Sequence, residues 1–513
     1  MTSPRTADVD ACPGALRLHA AADGLLARVR LPGGMLSGAQ LRDLRELTER
    51  FGDGRLELTS RANLQIRAVR AEHAETLAAG LRSAGLLPSI THDNVRNIAC
   101  PPLAGAALRS LVTGLDAAIC GDPELARLPG KFLFAVGHVP LAADVSAVPV
   151  EEGFAVRFAG HDTGLRVGAE QVVPVLIAAA HAFLTERSEQ RGGGPAVWRL
   201  RELADGPARV SARVAAALGL VPVGIPSAAP VPVTEPGDLL GILEQPDQAV
   251  PAQPGKDVRE RADGRFAVGA LVPLGQLTDV PMRVLTEAGR LVVTPWRGVI
   301  VPDLPRAAAV EWAERLAAAG LPTATASPWV GVTACAGRPG CAKSLADVRA
   351  DAAAATRFVA GLPVHWVGCG RACGSPAGRH VRVEATSDGY QVSRHPVPGR
   401  PPADPAPAGA TPPGTASQAE PTGASAQAAP GSAGGATVAA PAGAAMARPA
   451  PAESDQTFVG GIPPGRPKTG GVVCGETAPC GNVPGGEPAQ RSGAGGTERW
   501  RELADLVAAA RRP

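Results

Sequence analysis

Two segments of the chain share one pattern of apolar and polar positions. In the first, the pattern predicts a strand pair over LHAAADGLLARVRLPGG, an amphipathic helix, a strand over GRLELTSRANLQIRAV and a second helix over AEHAETLAAGLRSAGLL. The amphipathic helix carries its apolar face on Leu41, Leu44, Leu47 and Phe51. The second segment repeats the order with GRFAVGALVPLGQ, a short helix, GRLVVTPWRGVIVPDL and PRAAAVEWAERLAAAGL. This repeat predicts two small α+β halves whose sheets pair about a pseudo-twofold axis.

The strand over GRLELTSRANLQIRAV has one polar face. Because side chains alternate along a strand, one face takes Arg61, Asn63, Gln65 and Arg67, and the other takes Ala62, Leu64, Ile66 and Ala68. If Thr59 is matched to Thr294, the second copy places Trp296, Gly298, Ile300 and Pro302 on that face. The first copy is therefore expected to bind a ligand and the second to support it. On this strand alone, a solvated cationic face explains the pattern equally well.

Two turns add cations to this picture. Arg96 and Asn97 precede a Pro-Pro turn in HDNVRNIACPPLAG, and Lys131 follows a Pro-Gly turn in LARLPGKFLFAVG. Side chains at turns and strand ends converge on clefts, because the sheet fixes the position of its loops. Arginine suits a carboxylate ligand, since its planar fork binds both oxygens. We expect Arg61, Arg67, Arg96 and Lys131 to hold an anionic ligand, with neutral hydrogen bonds from Asn63 and Gln65.

Four cysteines form the strongest chemical signal. Cys335 and Cys341 are separated by five residues, and Cys369 and Cys373 by three, in the glycine-rich stretches TACAGRPGCAK and GCGRACG. Structural zinc usually takes tighter Cys-x2-Cys pairs, whereas four thiolates among glycines suit an iron–sulfur cluster. A zinc-stabilised binding module remains the alternative from a different class. Cys12, Cys100 and Cys120 are isolated and are expected to be small buried side chains. Cys474 and Cys480 repeat the five-residue gap without a second pair.

Composition shifts divide the rest of the chain. We assign a first half at 1–75, an α+β domain with a basic cavity at 76–221, and a linker with one short helical piece at 222–262. A second half follows at 263–326 and a cysteine domain at 327–396. Residues 397–496 are rich in Pro, Ala and Gly and are expected to be disordered. A terminal helix at 497–513 carries Trp500, Leu503 and Leu506 at helical spacing.

The overall charge and hydropathy exclude several classes of protein. The net charge of the 513 residues is +2, which gives no general attraction to nucleic acid or to an acidic membrane. No apolar run approaches the ~20 residues of a membrane helix, and no signal peptide is visible, so we expect a cytoplasmic protein. No Gly-rich dinucleotide fingerprint follows a strand, so NADH is not expected to bind directly. None of the nine histidines can be assigned to a 2-His-1-carboxylate iron site.

The motifs TSRANLQIR, NVRNIACPPLAG and LPGKF, followed by the two cysteine pairs, resemble the nitrite and sulfite reductase superfamily over about residues 14–396. The resemblance implies duplicated ferredoxin-like halves and a [4Fe-4S] cluster on Cys335, Cys341, Cys369 and Cys373. It also implies that Arg61, Arg96 and Lys131 surround a tetrapyrrole. The reductases carry a second lysine two residues after the one matching Lys131, and this chain has Leu133 there.

Within the superfamily, the cysteine regions look most like those of the precorrin-3B synthases. That resemblance implies oxygen-dependent monooxygenation of precorrin-3A to precorrin-3B, by hydroxylation with lactone formation, in aerobic cobalamin biosynthesis. It further implies electrons from NADH through an external donor protein, and a mononuclear non-haem iron. The alternative within the superfamily is a sirohaem-dependent sulfite or nitrite reductase. The missing lysine at Leu133 argues against a small oxyanion as the substrate.

Overall fold

The computed structural model describes residues 12–192, 195–224, 236–245, 265–376, 378–395 and 494–512. These residues form two small sheets around a shared core and two further α+β parts, each with its own core. The predicted α+β class is confirmed. The expectations for residues 397–493, including Cys474 and Cys480, fall outside the described residues.

The first half contains seven regular elements. They are β1 (His19–Ala21), β2 (Gly24–Val29), β3 (Met35–Leu36), α1 (Gly38–Phe51), β4 (Leu56–Leu58), β5 (Leu64–Val69) and α2 (Ala74–Ser83). A capping box between Ser37 and Gln40 begins α1, and the predicted apolar face of that helix is buried. Helix α2 packs in the same core through Leu77 and Leu81. The first core therefore continues past residue 75, where we had placed the boundary.

The prediction of one strand over GRLELTSRANLQIRAV is wrong, because a tight turn divides it into β4 and β5. Thr59 closes the turn: its backbone N–H donates to Asn63 O (2.9 Å) and its Oγ1 accepts from Asn63 N (3.0 Å). Ala62 takes a positive φ of 56° inside the turn. The alternation of faces therefore begins at Leu64, and Arg61 belongs to the turn. A bulge at Ala68, with φ 57°, shifts the alternation again, so that Val69 enters the core in place of Ala68.

The next part is a five-stranded mixed sheet with helices on one face. It contains β6 (Ile98–Ala99), α3 (Ala106–Gly121), β7 (Phe134–Val136), β8 (Val145–Val150), β9 (Gly153–Phe158), β10 (His161–Val167), α4 (Val172–Glu189) and α5 (Gly206–Leu218). The order is β10-β9-β8-β7-β6, with β6, β7 and β8 parallel. Phe132, Phe134 and Phe183 pack together between sheet and helices. The other face of the sheet is left to form a cavity.

The second half repeats the first. Its elements are β11 (Gly241–Glu244), β12 (Phe266–Leu271), β13 (Gln276–Leu277), α6 (Asp279–Leu285), β14 (Leu291–Val293), β15 (Gly298–Leu304) and α7 (Arg306–Ala318). The halves exchange short strands: β13 pairs with β4 in the first sheet, and β3 pairs with β14 in the second. Thr294 closes the same turn as Thr59, with Arg297 at φ 59°. This reciprocal exchange confirms the pseudo-twofold pairing.

The predicted linker contains part of the second sheet. Strand β11 pairs antiparallel with β12, from Gly241 opposite Gly269 to Glu244 opposite Phe266. Its four residues alternate between half-buried and exposed, as expected for an edge strand. The linker assignment at 236–245 is therefore corrected, while residues 225–235 and 246–264 fall outside the described residues.

The cysteine-bearing part repeats the mixed sheet on a smaller scale. It contains β16 (Val332–Ala334), α8 (Val348–Ala355), β17 (Val364–Val367), β18 (His380–Thr386), β19 (Gly389–His395) and α9 (Ala494–Arg511). Strands β16, β17 and β18 are parallel, and β18 and β19 form the hairpin predicted at Asp388-Gly389. This is the connectivity of β6 to β9. The loops after the first two strands therefore meet at one edge of the sheet.

Helix α9 covers this sheet through a face that includes two of the three predicted residues. Ala504, Val507 and Ala508 are buried, whereas Leu506 is 54% exposed. Buried Arg511 donates to Leu362 O (2.8 Å) and Val330 O (3.0 Å), which fixes the end of the helix. Trp500 and Leu503 pack on the same apolar cluster, as expected.

We expect Val507→Glu to reduce the free energy of unfolding by roughly 2–4 kcal/mol, because it buries a carboxylate among apolar side chains. Leu506→Glu is the matched control and should change it little, since that side chain already faces solvent. Urea denaturation followed by circular dichroism measures both. Equal losses in the two variants would contradict the observed packing of α9.

Candidate functional site

The two cysteine loops are joined by backbone hydrogen bonds. Cys335 directly follows β16, and its N–H donates to Trp366 O (2.9 Å) in β17. Gly368 N donates to Cys335 Sγ (3.3 Å), and Leu345 N donates to Gly368 O (2.8 Å). These contacts bring the loop that carries Cys335 and Cys341 against the loop that carries Cys369.

The other three predicted ligands all lie within electrostatic reach of Cys373. Burial raises the pKa of the Cys373 thiol, and the neighbouring thiols of Cys335, Cys369 and Cys341 raise it further. Cys373 is exposed, whereas the other three are half-buried. A site of this kind opens to solvent at one sulfur and closes around the other three.

This donor set fits a [4Fe-4S] cluster. Four thiols converge, a backbone N–H already points at one sulfur, and residues 335–346 and 368–379 contain no Asp or Glu. Among the described residues, no three His, Cys, Asp or Glu side chains are grouped closely enough to bind a single metal ion. A [4Fe-4S] cluster makes a different demand on the protein, because each of its four sulfur ligands binds a different iron.

His365 anchors the loop that carries Cys373, and our sequence reasoning missed it. Its side chain is completely buried, with Nδ1 2.8 Å from Thr333 Oγ1 and Nε2 3.0 Å from Cys373 O. Burial lowers the pKa of His365 to about 4, so the ring is neutral. A neutral ring with these partners donates from Nε2 to the Cys373 carbonyl and accepts from the Thr333 hydroxyl. The signal was a polar residue inside the apolar strand VHWV.

A row of polar side chains crosses the first sheet on one face. Arg28 lies opposite Gln65, and Gln65 lies opposite Glu57. The Gln65 side-chain oxygen accepts from Arg28 Nε (3.1 Å), with the amide in the orientation that satisfies both groups. Arg67 is two residues beyond Gln65 on the same face. The polar face predicted for this strand therefore exists, but it is shared with neighbouring strands.

Three arginines and a lysine gather at one end of this face. Arg30 is 2% exposed, and its Nε has no hydrogen-bond partner. Burial, followed by the charge of Arg28 and to a smaller extent that of Arg61, lowers the pKa of Arg30 to about 9 against the opposing effect of Asp93. Arg61 Nη1 donates to Lys131 O (3.4 Å). A buried cation with an unused donor, among other cations, is suited to an anionic ligand.

Sequence reasoning missed Arg28 and Arg30. Their signal is the alternation in ARVRL, which places both on one face of β2 while Val29 and Leu31 enter the core. The Lys131 ammonium stacks on Trp198, with its Nζ 4.3 Å from the centroid of the ring. Arg61 and Lys131 are two of the six predicted binding residues, and the structure joins them through the hydrogen bond from Arg61 to Lys131 O.

Three of the six predicted binding residues form hydrogen bonds with other groups of the protein. Asn63 Oδ1 accepts from Leu31 N (2.8 Å) and supports the turn beside β2. Arg67 binds Asp23 through two hydrogen bonds of 2.9 Å. Arg96 binds Asp116 through two of 2.7 Å and is 4% exposed. The interpretation of Arg67 and Arg96 as carboxylate clamps is corrected, because each guanidinium is already paired with a carboxylate of the chain.

A cavity of about 410 Å³ lies on the open face of the β10-β9-β8-β7-β6 sheet. Ala135 of β7 lines it, and Leu133, two residues earlier on the same face, is 3% exposed in an apolar cluster with Ala99 and Ala135. Arg157 and His138 also line the cavity, where burial and then Arg157 lower the pKa of His138. The cavity therefore combines an apolar floor with the positive charge of Arg157.

The second sheet offers a different surface. On the face equivalent to the polar row, Ala267, Val292 and Ile300 are buried with Leu103 and Trp296. This matches the expected supporting role, with one exception. Arg297, from the turn that repeats Thr59 to Asn63, lies 3.7 Å from where a Cβ of Gly374 would be, and burial lowers its pKa. The second half thus places one cation beside Cys373.

Comparison with known proteins supports the fold of the first half. Residues 19–84 match the family model of the nitrite/sulfite reductase ferredoxin-like half domain. Over most of its length the chain is similar to ferredoxin–nitrite reductases. Over 400 residues it is 26% identical to a ferredoxin–nitrite reductase of Synechococcus elongatus, covering 68% of this chain and 74% of the relative.

Two further matches bear on the family assignment. A precorrin-3B synthase of Sinorhizobium is 37% identical over 95 residues, which cover 18% of this chain and 20% of that protein. Shorter curated matches of this kind span 24% or less of the relative's own length. The structure of Mycobacterium tuberculosis NirA superposes with a TM-score of 0.57 at 21% identity, covering 72% of this chain and 74% of that one. This last similarity shows the fold alone.

The remaining expectations concern iron ligands and membranes. His92 bonds to Ser89, Thr91 and Asp122 O, and Asp93 accepts from the backbone of Ala15 and Leu16. Both side chains therefore have structural partners, and neither is assigned to iron. Helices in the described part of the chain are all too short or too polar to cross a membrane.

Proposed function

We propose that the chain is a precorrin-3B synthase-like monooxygenase, which hydroxylates precorrin-3A with lactone formation in an oxygen-dependent step. The observation that carries this choice is Leu133. It occupies the position of a reductase lysine, and it is buried among apolar side chains beside the cavity. A cation at that position would have to be desolvated without a partner, which is costly. The cavity therefore suits an apolar macrocycle better than a small oxyanion.

Under this proposal the rim carboxylates of the tetrapyrrole meet Arg28, Arg30, Arg61 and Lys131. Each charge-assisted hydrogen bond is worth ~1.5–3 kcal/mol, so several together hold a ligand with many carboxylates. The apolar floor beside Leu133 and Ala135 takes the ring and excludes water. Arg96, paired with Asp116, supports the turn and does not contact the ligand.

The four cysteines would hold the [4Fe-4S] cluster. When bound, the cluster supplies single electrons, which an external NADH-linked donor replenishes. His365 and the Gly368 N–H hold the ligand loops in place, while Arg297 adds positive charge next to Cys373. Dioxygen and a mononuclear non-haem iron belong to the same proposal, although no residues of this chain are assigned to that iron.

The second candidate is a sirohaem-dependent nitrite or sulfite reductase. The comparisons favour it, because the matches that span most of the chain are to ferredoxin–nitrite reductases. The same cations and cysteines would then hold sirohaem and the cluster. What speaks against it is the pairing of Arg96 with Asp116 and the burial of Leu133, which leave fewer cations for an oxyanion.

One experiment separates the two candidates. The protein is purified anaerobically, its absorption spectrum is recorded, and it is incubated with precorrin-3A and reductant before ¹⁸O₂ is added. We expect a product that carries one oxygen atom from ¹⁸O₂, detected by mass spectrometry, and a spectrum without sirohaem bands. Sirohaem bands with reductant-dependent consumption of nitrite or sulfite would favour the second candidate. Bound zinc without acid-labile sulfide would exclude both.

The surface beside the cluster predicts how the donor binds. Arg338, Lys343, Arg371 and Arg379 are exposed on the two cysteine loops, which contain no acidic residue. We expect the double variant Lys343→Glu and Arg371→Glu to slow reduction of the cluster by an acidic donor about tenfold, because encounter between proteins is steered by charge. Stopped-flow bleaching of the visible absorption measures the rate.

The control for this prediction is Arg70→Glu, which reverses a charge at a site 73% exposed on the first half. It should leave the rate unchanged, and the effect of the double variant should diminish at high salt. A double variant that is reduced as fast as the wild type at low salt would place the docking surface elsewhere.

A further inference from the structure

Arg67 connects the first sheet to the loop that carries Cys341. Its Nε and Nη2 bind the carboxylate of Asp23 at 2.9 Å, and the same Nη2 donates to Gly340 O at 2.8 Å. The residue is 6% exposed. Gly340 directly precedes Cys341, so this single guanidinium joins a carboxylate of the first half to the backbone next to a predicted cluster ligand.

Gly340 is shaped for this contact. A Cβ on Gly340 would lie 2.5 Å from Arg67 Nη2, closer than real Cβ atoms approach, and 3.1 Å from its Cζ, which is also a tight contact. The guanidinium cannot easily withdraw, because Asp23 holds it in a planar, two-bond arrangement. The absence of a side chain at position 340 and the position of Arg67 are therefore matched to each other.

A second contact holds the other end of the same loop. Arg349, in the first turn of α8, forms an ion pair with Glu57 of β4. Glu57 also lies 3.8 Å from Arg67 Nη1. Side chains of the first sheet thus contact residues 340–349 at both ends of that segment. Arg67 makes the contact nearest to Cys341.

We propose that Arg67 is a positioning residue that holds Cys341 in place to receive the [4Fe-4S] cluster. This inference rests on the cluster assigned under the proposed function, and it replaces the sequence-based interpretation of Arg67 as a substrate clamp. Arg67 acts through Gly340 O and touches no substrate. Without it the loop loses a charged hydrogen bond, and the thiol of Cys341 samples positions unsuited to the cluster.

The first test uses protein prepared without iron, in which the thiols are free to react. We expect Arg67→Gln to increase the rate of alkylation of Cys341 by N-ethylmaleimide about tenfold, the effect of losing one hydrogen bond to a charged group. Cys335 is the internal reference, because Gly368 N bonds its sulfur independently of Arg67. Peptide mass spectrometry measures both rates. Arg70→Gln removes the same charge at an exposed site and should change neither.

The second test uses the cluster-loaded protein and Gly340→Ala. We expect Gly340→Ala and Arg67→Gln each to shorten the half-life of the visible absorption in the presence of a chelator about tenfold. The double variant should be no worse than either single change, since both break the same contact. Additive effects, or a Cys341 that reacts at the wild-type rate in Arg67→Gln, would overturn the inference.

Two features keep these tests decisive. If Arg67→Gln fails to fold, Gly340→Ala and Asp23→Asn still loosen the contact without leaving a buried arginine site empty, and circular dichroism verifies their folding. Failure of the proposed function shows as missing oxygen insertion while the alkylation contrast persists. Failure of this inference shows as equal alkylation rates, whatever reaction the protein catalyses.

Discussion

Replacing Cys369 with serine is expected to remove the visible absorption of the cluster and enzymatic turnover together. Cys369 follows β17 at the edge where both cysteine loops meet, and it contributes to the group of thiols around Cys373. A serine hydroxyl is a poor ligand for an iron that prefers thiolate, and three sulfurs cannot complete the cage. Absorption near ~400 nm, acid-labile sulfide and product formation measure the outcome on one preparation.

Cys120→Ser is the matched control. Cys120 lies in α3, is half-buried, and belongs to neither cysteine loop. This variant should keep its cluster, its sulfide content and its activity. If Cys369→Ser retained turnover, the cluster would have no part in the reaction. If it retained the absorption, the ligand set would need revision.

The repeat and the cysteine spacing could be predicted because both depend on local patterns. Strand and helix periodicity located the two halves, and Thr59 and Thr294 aligned turns that prove equivalent. The cysteines could be grouped by their spacing and their glycine-rich surroundings, and in the structure they follow neighbouring parallel strands, whose ends meet at one sheet edge. The exchange of β3 and β13 between the sheets has no local signal and required the structure.

The partners of individual arginines could not be predicted. The sequence indicates Arg96 as a ligand for an anion. In the structure, however, the carboxylate of Asp116, twenty residues later on α3, accepts hydrogen bonds from both Nε and Nη2 of Arg96. Arg67 looked similar, and its partners come from Asp23 and from Gly340 in another domain. Such pairings depend on tertiary packing, which strand periodicity does not specify. Tertiary packing also decides which positions of α9 are buried, and it leaves Leu506 exposed although that residue shares helical spacing with Trp500 and Leu503.

The two halves have diverged around the same backbone. In the first sheet, the row formed by Arg28, Gln65 and Glu57 is polar, whereas the equivalent surface of the second sheet is apolar and covered by Leu103. Duplication thus provides one sheet whose face carries charged side chains and a second sheet whose equivalent face packs against apolar side chains. Because burying unpaired charge is costly, the polar face persists only where a ligand or an internal partner compensates it.

Arg30→Met is expected to weaken tetrapyrrole binding by tens of fold while it stabilises the ligand-free protein. Arg30 is buried, its Nε is unused, and burial together with Arg28 lowers its pKa to about 9. A cation whose folded-state pKa is depressed destabilises the fold at every pH below that value, and the penalty decreases as the pH rises through 9. At pH 7 the penalty is therefore fully present, and methionine removes it.

The same cation contributes ~1.5–3 kcal/mol once a carboxylate of the ligand reaches it, so its loss weakens binding. Fluorescence titration with a carboxylated tetrapyrrole measures affinity, and thermal unfolding of ligand-free protein at pH 7 measures stability. Arg17→Met makes the same substitution at an exposed site and should alter neither. Weaker ligand binding together with higher stability identifies a cation that serves binding. Removing an arginine that serves the fold would instead lower the stability. A less stable Arg30→Met with unchanged affinity would mean that Arg30 serves the fold and not the ligand.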